Sequence, residues 1–166
     1  MSEDAEDFRS RAVTMYKGNR FEDMTVGRVF EHHWGRTITD GDNAAFTTQT
    51  LSFCPLYFNE PYAQSLGHEK VLVNPMLVFN TVFGLSVEDL SEGGGPFLGV
   101  DQCHFKDDVY IGDTLTARSE VVSARTSKGN PHFGIVTWHT EGFNQHNTLV
   151  VSFQRTNLVR RRKAAQ

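Results

Sequence analysis

The second half of the chain, from Gly95 to Val159, alternates apolar and polar residues with a period of two and is rich in Val, Thr, Phe and Ile. Turn signals at Ile111 to Asp113, Lys128 to Pro131 and Asn144 to Asn147 cut it, which predicts about four antiparallel strands over 97–108, 114–125, 133–143 and 148–158. Before them, "VNPMLVFNTVFGLSV" has no alternation. Asn74 suits a helix N-cap, and Pro75 suits the first helical position, where a missing N–H costs nothing. The apolar residues that follow fall on nearly every side of a helix, which predicts burial on all sides. "RVFEHHWGRTI" reads as an earlier strand. Residues 40–49 read as a short helix that Thr39 or Asp40 can cap.

The chain has 166 residues, 39% of them hydrophobic, which fits one domain that buries roughly two thirds of its unfolded surface. The formal charge of −4 is dispersed except at the ends. Glu3, Asp4, Glu6 and Asp7 make an acidic start; Arg160, Arg161, Arg162 and Lys163 make a basic end. No basic face of the kind that binds nucleic acid is predicted. The basic end reads first as a solvated terminus and second as a contact for an anionic ligand or partner. Residues 1–20 read as a partly flexible extension, 21–160 as the domain and 161–166 as the tail. Cys54 and Cys103 have no zinc or disulfide spacing, so a reducing cytoplasm fits. No signal peptide is indicated. The longest uncharged stretch, Val71 to Val87, is too interrupted and too short to span a bilayer.

A curved antiparallel sheet wrapped around one apolar helix is an α+β, hot-dog architecture. Four strands after the helix leave an edge and a face needing cover, so a dimer is expected.

"FEDMTVGRVFEH", "GRTITDGDNAAF", "CPLYFNEPYA", "LVNPML" and "VYIGDTLTARSEV" resemble, in order and spacing, the MaoC-like hydratase and dehydratase family, and most closely its mesaconyl-CoA branch. The resemblance covers about residues 21 to 160. It implies reversible addition of water to an enoyl thioester, with coenzyme A or a carrier protein as part of the substrate and no separate cofactor. It also implies an active-site pattern of Asp, any residue, Asn, Pro, Leu, His, any residue, Asp, in which carboxylate and imidazole hold and deprotonate water. Backbone N–H groups at the start of the buried helix would polarise the thioester carbonyl.

"SFCPLYFN" lies on that pattern through Pro55 and Leu56. Ser52 stands at the position of the Asp, Cys54 at the Asn, Tyr57 at the His and Asn59 at the final Asp. Ser52 is no base at neutral pH, and Tyr57 donates more readily than it accepts. At the helix start, where the family commonly has His-Gly-Met, this chain has Asn74, Pro75 and Met76, and proline donates no backbone hydrogen bond. Met76 or Leu77 N–H is left to face the carbonyl, with the Asn74 side chain as a further donor. Tyr57, Ser52 and His104 are the catalytic candidates; Asn59, Asn74, Met76 and Leu77 are the substrate-binding ones.

Asp101 and His68 are further candidates for chemistry, although His68, in "LGHEK", reads first as a solvated loop residue. His32 and His33 point to opposite faces of a strand and cannot share a metal. His132, His139 and His146 show no ligand spacing, and "SEGGGPF" reads as a turn, not a phosphate loop. Three functions stay open: a hydratase/dehydratase with a rebuilt acid–base set, a different thioester-directed enzyme such as an isomerase, cyclase or thioesterase, and a non-catalytic subunit that pairs with an active homologue. The expected partner is a second copy, as a homodimer or dimer of dimers, or that homologue.

Overall fold

The computed structural model describes residues 8–15 and 17–162. The acidic start and Lys163 therefore lie outside the described residues. Short 3-10 turns at Phe8–Arg11 and Phe21–Asp23 precede strands β1 (Val29–Glu31) and β2 (Arg36–Thr37) and helix α1 (Asp40–Gln49). Helices α2 (Glu60–Ser65), α3 (Pro75–Leu85) and α4 (Val87–Leu90) follow. Strands β3 (Phe97–Phe105), β4 (Thr114–Thr126), β5 (Phe133–Phe143) and β6 (Leu149–Arg160) complete the chain. The sheet order is β1-β4-β5-β6-β3, with β2 also on β4, and every pairing is antiparallel.

Alternation sets the strands because successive side chains point to opposite faces. Along β5 every second residue from Gly134 to Gly142 is buried, and β6 matches it through Val151, Phe153, Arg155, Asn157 and Val159. Gly142, Val151 and Phe153 lie under α3, while Val136, Trp138 and Val159 pack with Met24, Phe30 and Leu90 in a second cluster. The single early strand expected over 28–38 is two short ones. The chain leaves the ladder after His32, whose N–H still donates to Ala117 O at 3.1 Å and whose side chain is buried. The first long strand ends at Phe105, not at 108, because Asp107 to Ile111 form the connection to β4.

Helix α3 begins as its sequence predicts, with Pro75 in the first turn and the Asn74 side chain accepting from Met76 N–H. Val78 and Val82, one turn apart, are buried against the sheet. Gly142 lets α3 come close: a Cβ there would stand 2.5 Å from Val82 Cγ2. Phe79 and Phe83 pack on Phe153, with ring centroids 4.8 and 6.2 Å apart. Burying each such side chain stabilises by about 1.5–3 kcal/mol.

The expectation that α3 is buried on every side is corrected. Within this chain only one face is covered, and Met76 stays 50% exposed. The apolar positions extend around the helix, but the sheet reaches only part of it. The uncovered side of α3 and the edge strand β3 enclose an apolar groove of about 710 Å³, lined by Met76, Phe79, Phe83, Phe97, Val100, Cys103 and Phe105. Strand β3 pairs on one side only, and a bulge between Asp101 and His104 interrupts it. Among the described residues no helix is long and apolar enough to cross a membrane.

Candidate active site

The stretch 50–63 has a defined shape. Leu51 takes a left-handed backbone (φ 56°), and Pro55–Tyr57 then form a 3-10 turn. Asn59 caps α2, its side chain accepting from Tyr62 N–H at 3.1 Å. Apolar and polar residues mix here because the segment is neither strand nor regular helix. It is a turn held from outside.

Most of that hold comes from Asn43, fully buried on α1. Its amide donates to the carbonyls of Tyr57 (2.8 Å) and Leu72 (2.9 Å), and its Oδ1 accepts the Asn74 backbone N–H. Asn74, also buried, donates from Nδ2 to Ser52 Oγ at 3.1 Å while its Oδ1 caps Met76 N–H. Two asparagines thus lock the 52–57 segment against the start of α3. The sequence reading passed over Asn43, although it lies within the "GRTITDGDNAAF" segment.

Of the residues singled out, the structure brings Ser52, Tyr57 and Asn74 together. Asn59 is occupied as the α2 cap. Met76 and Leu77 stand at the helix start, where Met76 N–H donates to Asn74 Oδ1 and Leu77 N–H to Asn74 O at 2.9 Å. His104 and Asp101 lie exposed on β3 and do not line the cavity that Tyr57 lines, and His104 pairs in register with Ser152.

His68 corrects its first reading as a solvated residue. Its side chain is 25% exposed, with Nδ1 3.3 Å from Tyr110 Oη and 3.6 Å from Asp108 Oδ2. The loop that carries it is pinned to the connection before β4. Leu72 bridges Tyr110, Val73 N–H donates to Val109 O at 2.8 Å, and Lys70 Nζ donates to Ile111 O at 2.9 Å. The "VYIGDTL" turn aims that connection. Tyr110 N–H donates to Asp113 Oδ2 at 2.8 Å, and Gly112 takes φ 98°, which favours glycine.

Tyr57, His68, Asp107 and Asp108 line one cavity of about 250 Å³, walled otherwise by apolar residues and by Pro75 at the α3 start. Burial, and then the charges of Cys54 and Asp108, push the Tyr57 phenol above its ordinary value, so it stays protonated at neutral pH. Among the described residues no group of three or more His, Cys, Asp or Glu is placed to hold a metal.

The basic end is less free than its sequence suggests. Arg160 belongs to β6, Arg161 pairs with Glu22 at 3.3 Å, and Arg162 pairs with Asp23 at 2.6 Å. These ion pairs close the chain end onto the turn before β1.

Sheet and helix give this chain the hot-dog fold. A family model described as mesaconyl-CoA hydratase matches residues 2–166. The mesaconyl-CoA hydratase of Haloarcula hispanica is 39% identical over 166 residues, covering 98% of this chain and 46% of that protein. A MaoC domain dehydratase of Chloroflexus aurantiacus superposes with a TM-score of 0.85 at 38% identity, covering 92% of this chain and 43% of that one. A double hot-dog protein of Mycobacterium tuberculosis, 23% identical, shares the fold with a TM-score of 0.80 over 90% of this chain and 46% of its own. The chain belongs to the mesaconyl-CoA hydratase family. It spans about half the length of the curated relatives it matches.

Proposed function

We propose that this chain is a hot-dog unit for reversible hydration of an enoyl-CoA, with a short branched or dicarboxylic acyl group as its substrate class. Membership of the family supports that class, since the family model and the Haloarcula hispanica relative are both described as mesaconyl-CoA hydratase. The observation that carries the reading is the Ser52–Asn74 hydrogen bond, which sets the 52–57 segment across the start of α3 at a cavity that Tyr57 and Pro75 line. A thioester at that point would extend its acyl group along α3. Ser52 acts there as a hydrogen-bonding group and Tyr57 as a proton donor, and the base comes from a side chain outside the segment. The apolar groove and the one-sided edge strand β3 suit cover by a second hot-dog unit, so we assign a dimer as the working form.

A second reading has its own support. The chain matches less than half of the Haloarcula hispanica protein and of a double hot-dog protein. It is then one half of a pair whose other half, a homologous unit with Asp and His in the segment, brings the base.

The test incubates the purified chain with crotonyl-CoA and with mesaconyl-CoA and follows products by mass spectrometry. The expected result is gain of one water, abolished in Tyr57→Phe while the fold is kept. Binding without turnover would overturn the first reading and favour the second; failure of both thioesters to bind would overturn the two alike.

A further inference from the structure

We propose that His68, oriented by Asp108 and Tyr110, is the base that this chain uses in place of the missing carboxylate–imidazole pair, acting on a water in the cavity it shares with Tyr57. The inference rests on the hydratase reading and names the group that reading leaves unassigned.

Position is the first argument. Among the residues lining that cavity, His68 is the one imidazole. His32 is buried in a separate contact with Asp89, and His104 is exposed on β3. The loop carrying His68 is tied to the Val109–Ile111 connection by two backbone contacts and the Lys70 ammonium. The ring is therefore held at the cavity wall by groups outside its own loop.

Orientation is the second. Nδ1 faces Tyr110 Oη at 3.3 Å and Asp108 Oδ2 at 3.6 Å. A proton on Nδ1 directed at these oxygens leaves the lone pair on Nε2, the form in which an imidazole accepts from water. An acidic group behind one ring nitrogen fixes the tautomer of the other, the same logic by which a carboxylate serves a general-base histidine. Asp108 is thus a positioning residue, and the cavity's largely apolar walls favour a held water over bulk solvent.

The chemistry balances. His68 Nε2 takes a proton from water as the water oxygen bonds to the β-carbon. The π electrons of the carbon–carbon double bond move to the α-carbon through the thioester enolate. The Tyr57 hydroxyl gives its proton to the α-carbon, and the proton on His68 passes back to the Tyr57 oxygen. Both side chains end as they began, with one water added; the reverse sequence removes it.

The experiment measures kcat and KM of the chain on crotonyl-CoA and mesaconyl-CoA for wild type, His68→Gln, His68→Asn, Asp108→Asn and Asp108→Glu, with thermal unfolding of each. Either His68 variant that stays folded reads the result. The expected outcome is a fall in kcat of about 100-fold or more for the His68 variants with KM little changed. Asp108→Asn loses about tenfold in kcat at constant KM, and Asp108→Glu recovers part of it. A folded His68 variant with wild-type kcat overturns the proposal and leaves the hydratase reading intact. A wild-type chain that binds the thioesters but turns over only when mixed with a MaoC-like chain carrying Asp and His also overturns it, and supports the paired reading. A chain that neither binds nor reacts removes both.

Discussion

Asn43 holds Asn74. The Asn43 Oδ1 accepts the Asn74 backbone N–H at 2.9 Å, while its amide reaches the Tyr57 and Leu72 carbonyls. One buried side chain on α1 thus sets the 52–57 segment, the strand-like stretch at Leu72 and the start of α3 relative to each other.

Asn43→Ala leaves three backbone groups, two of them buried and one part-buried, without that partner. Each unsatisfied group costs about 1–3 kcal/mol, so a loss of about 3 kcal/mol or more is expected after local relaxation. Urea denaturation measures it. A loss below about 1 kcal/mol would mean that Asn43 does not organise the site.

His32 predicts an acid-side weakness. Burial pushes its imidazole below the ordinary value, and the Asp89 contact at 2.7 Å opposes that shift without reversing it. The neutral ring donates from Nδ1 to Asp89 and accepts at Nε2 from Ser119 Oγ at 2.9 Å. Below about pH 6.5 the unfolded chain takes up a proton that the native chain refuses, so stability falls as pH falls, by up to about 1.4 kcal/mol per pH unit. Unfolding measured from pH 7.5 down to 5 shows this slope in wild type. His32→Gln should flatten it, and an unchanged slope would place the proton uptake elsewhere.

Arg155 is fully buried on β6, with Nη2 3.4 Å from Ser91 Oγ and no partner for Nε or Nη1 among the described residues. Burial lowers its pKa to about 10. The rings of Phe83 and Trp138, 4.5 and 5.4 Å from the guanidinium carbon, offset only part of the cost of holding a charge there. Arg155→Met, which fills similar space without a charge, should raise stability by about 1–3 kcal/mol in denaturant titration. A loss of stability would show that the rings and Ser91 compensate the charge in full.

Much of the fold was legible because its signals are local. Alternation marked β4, β5 and β6 to within two residues at each end, and Asn74-Pro75 marked the start of α3. The cover on α3 was not legible. A sequence states how far apolar residues extend around a helix, not how far the sheet reaches to meet them. The site divides in the same way. Ser52 and Tyr57 could be found through the resemblance, because the family's active-site pattern can be laid on this segment through Pro55 and Leu56. His68 could be named as a candidate but not placed, since its surroundings depend on a loop meeting Tyr110 from 42 residues away in sequence. Asn43 escaped because a polar residue early in a short helix reads as solvent-facing, and only its burial shows otherwise.

The most direct measurement of the central claim is oxygen exchange. A 3-hydroxyacyl-CoA is incubated with the chain in oxygen-labelled water, and the label at the β-carbon is read by mass spectrometry. Reversible loss and addition of water predicts steady uptake of label by wild type and none by Tyr57→Phe. Thioester that is bound but never labelled, in the chain alone and at every concentration, would contradict the account of this chain as a hydratase in its own right.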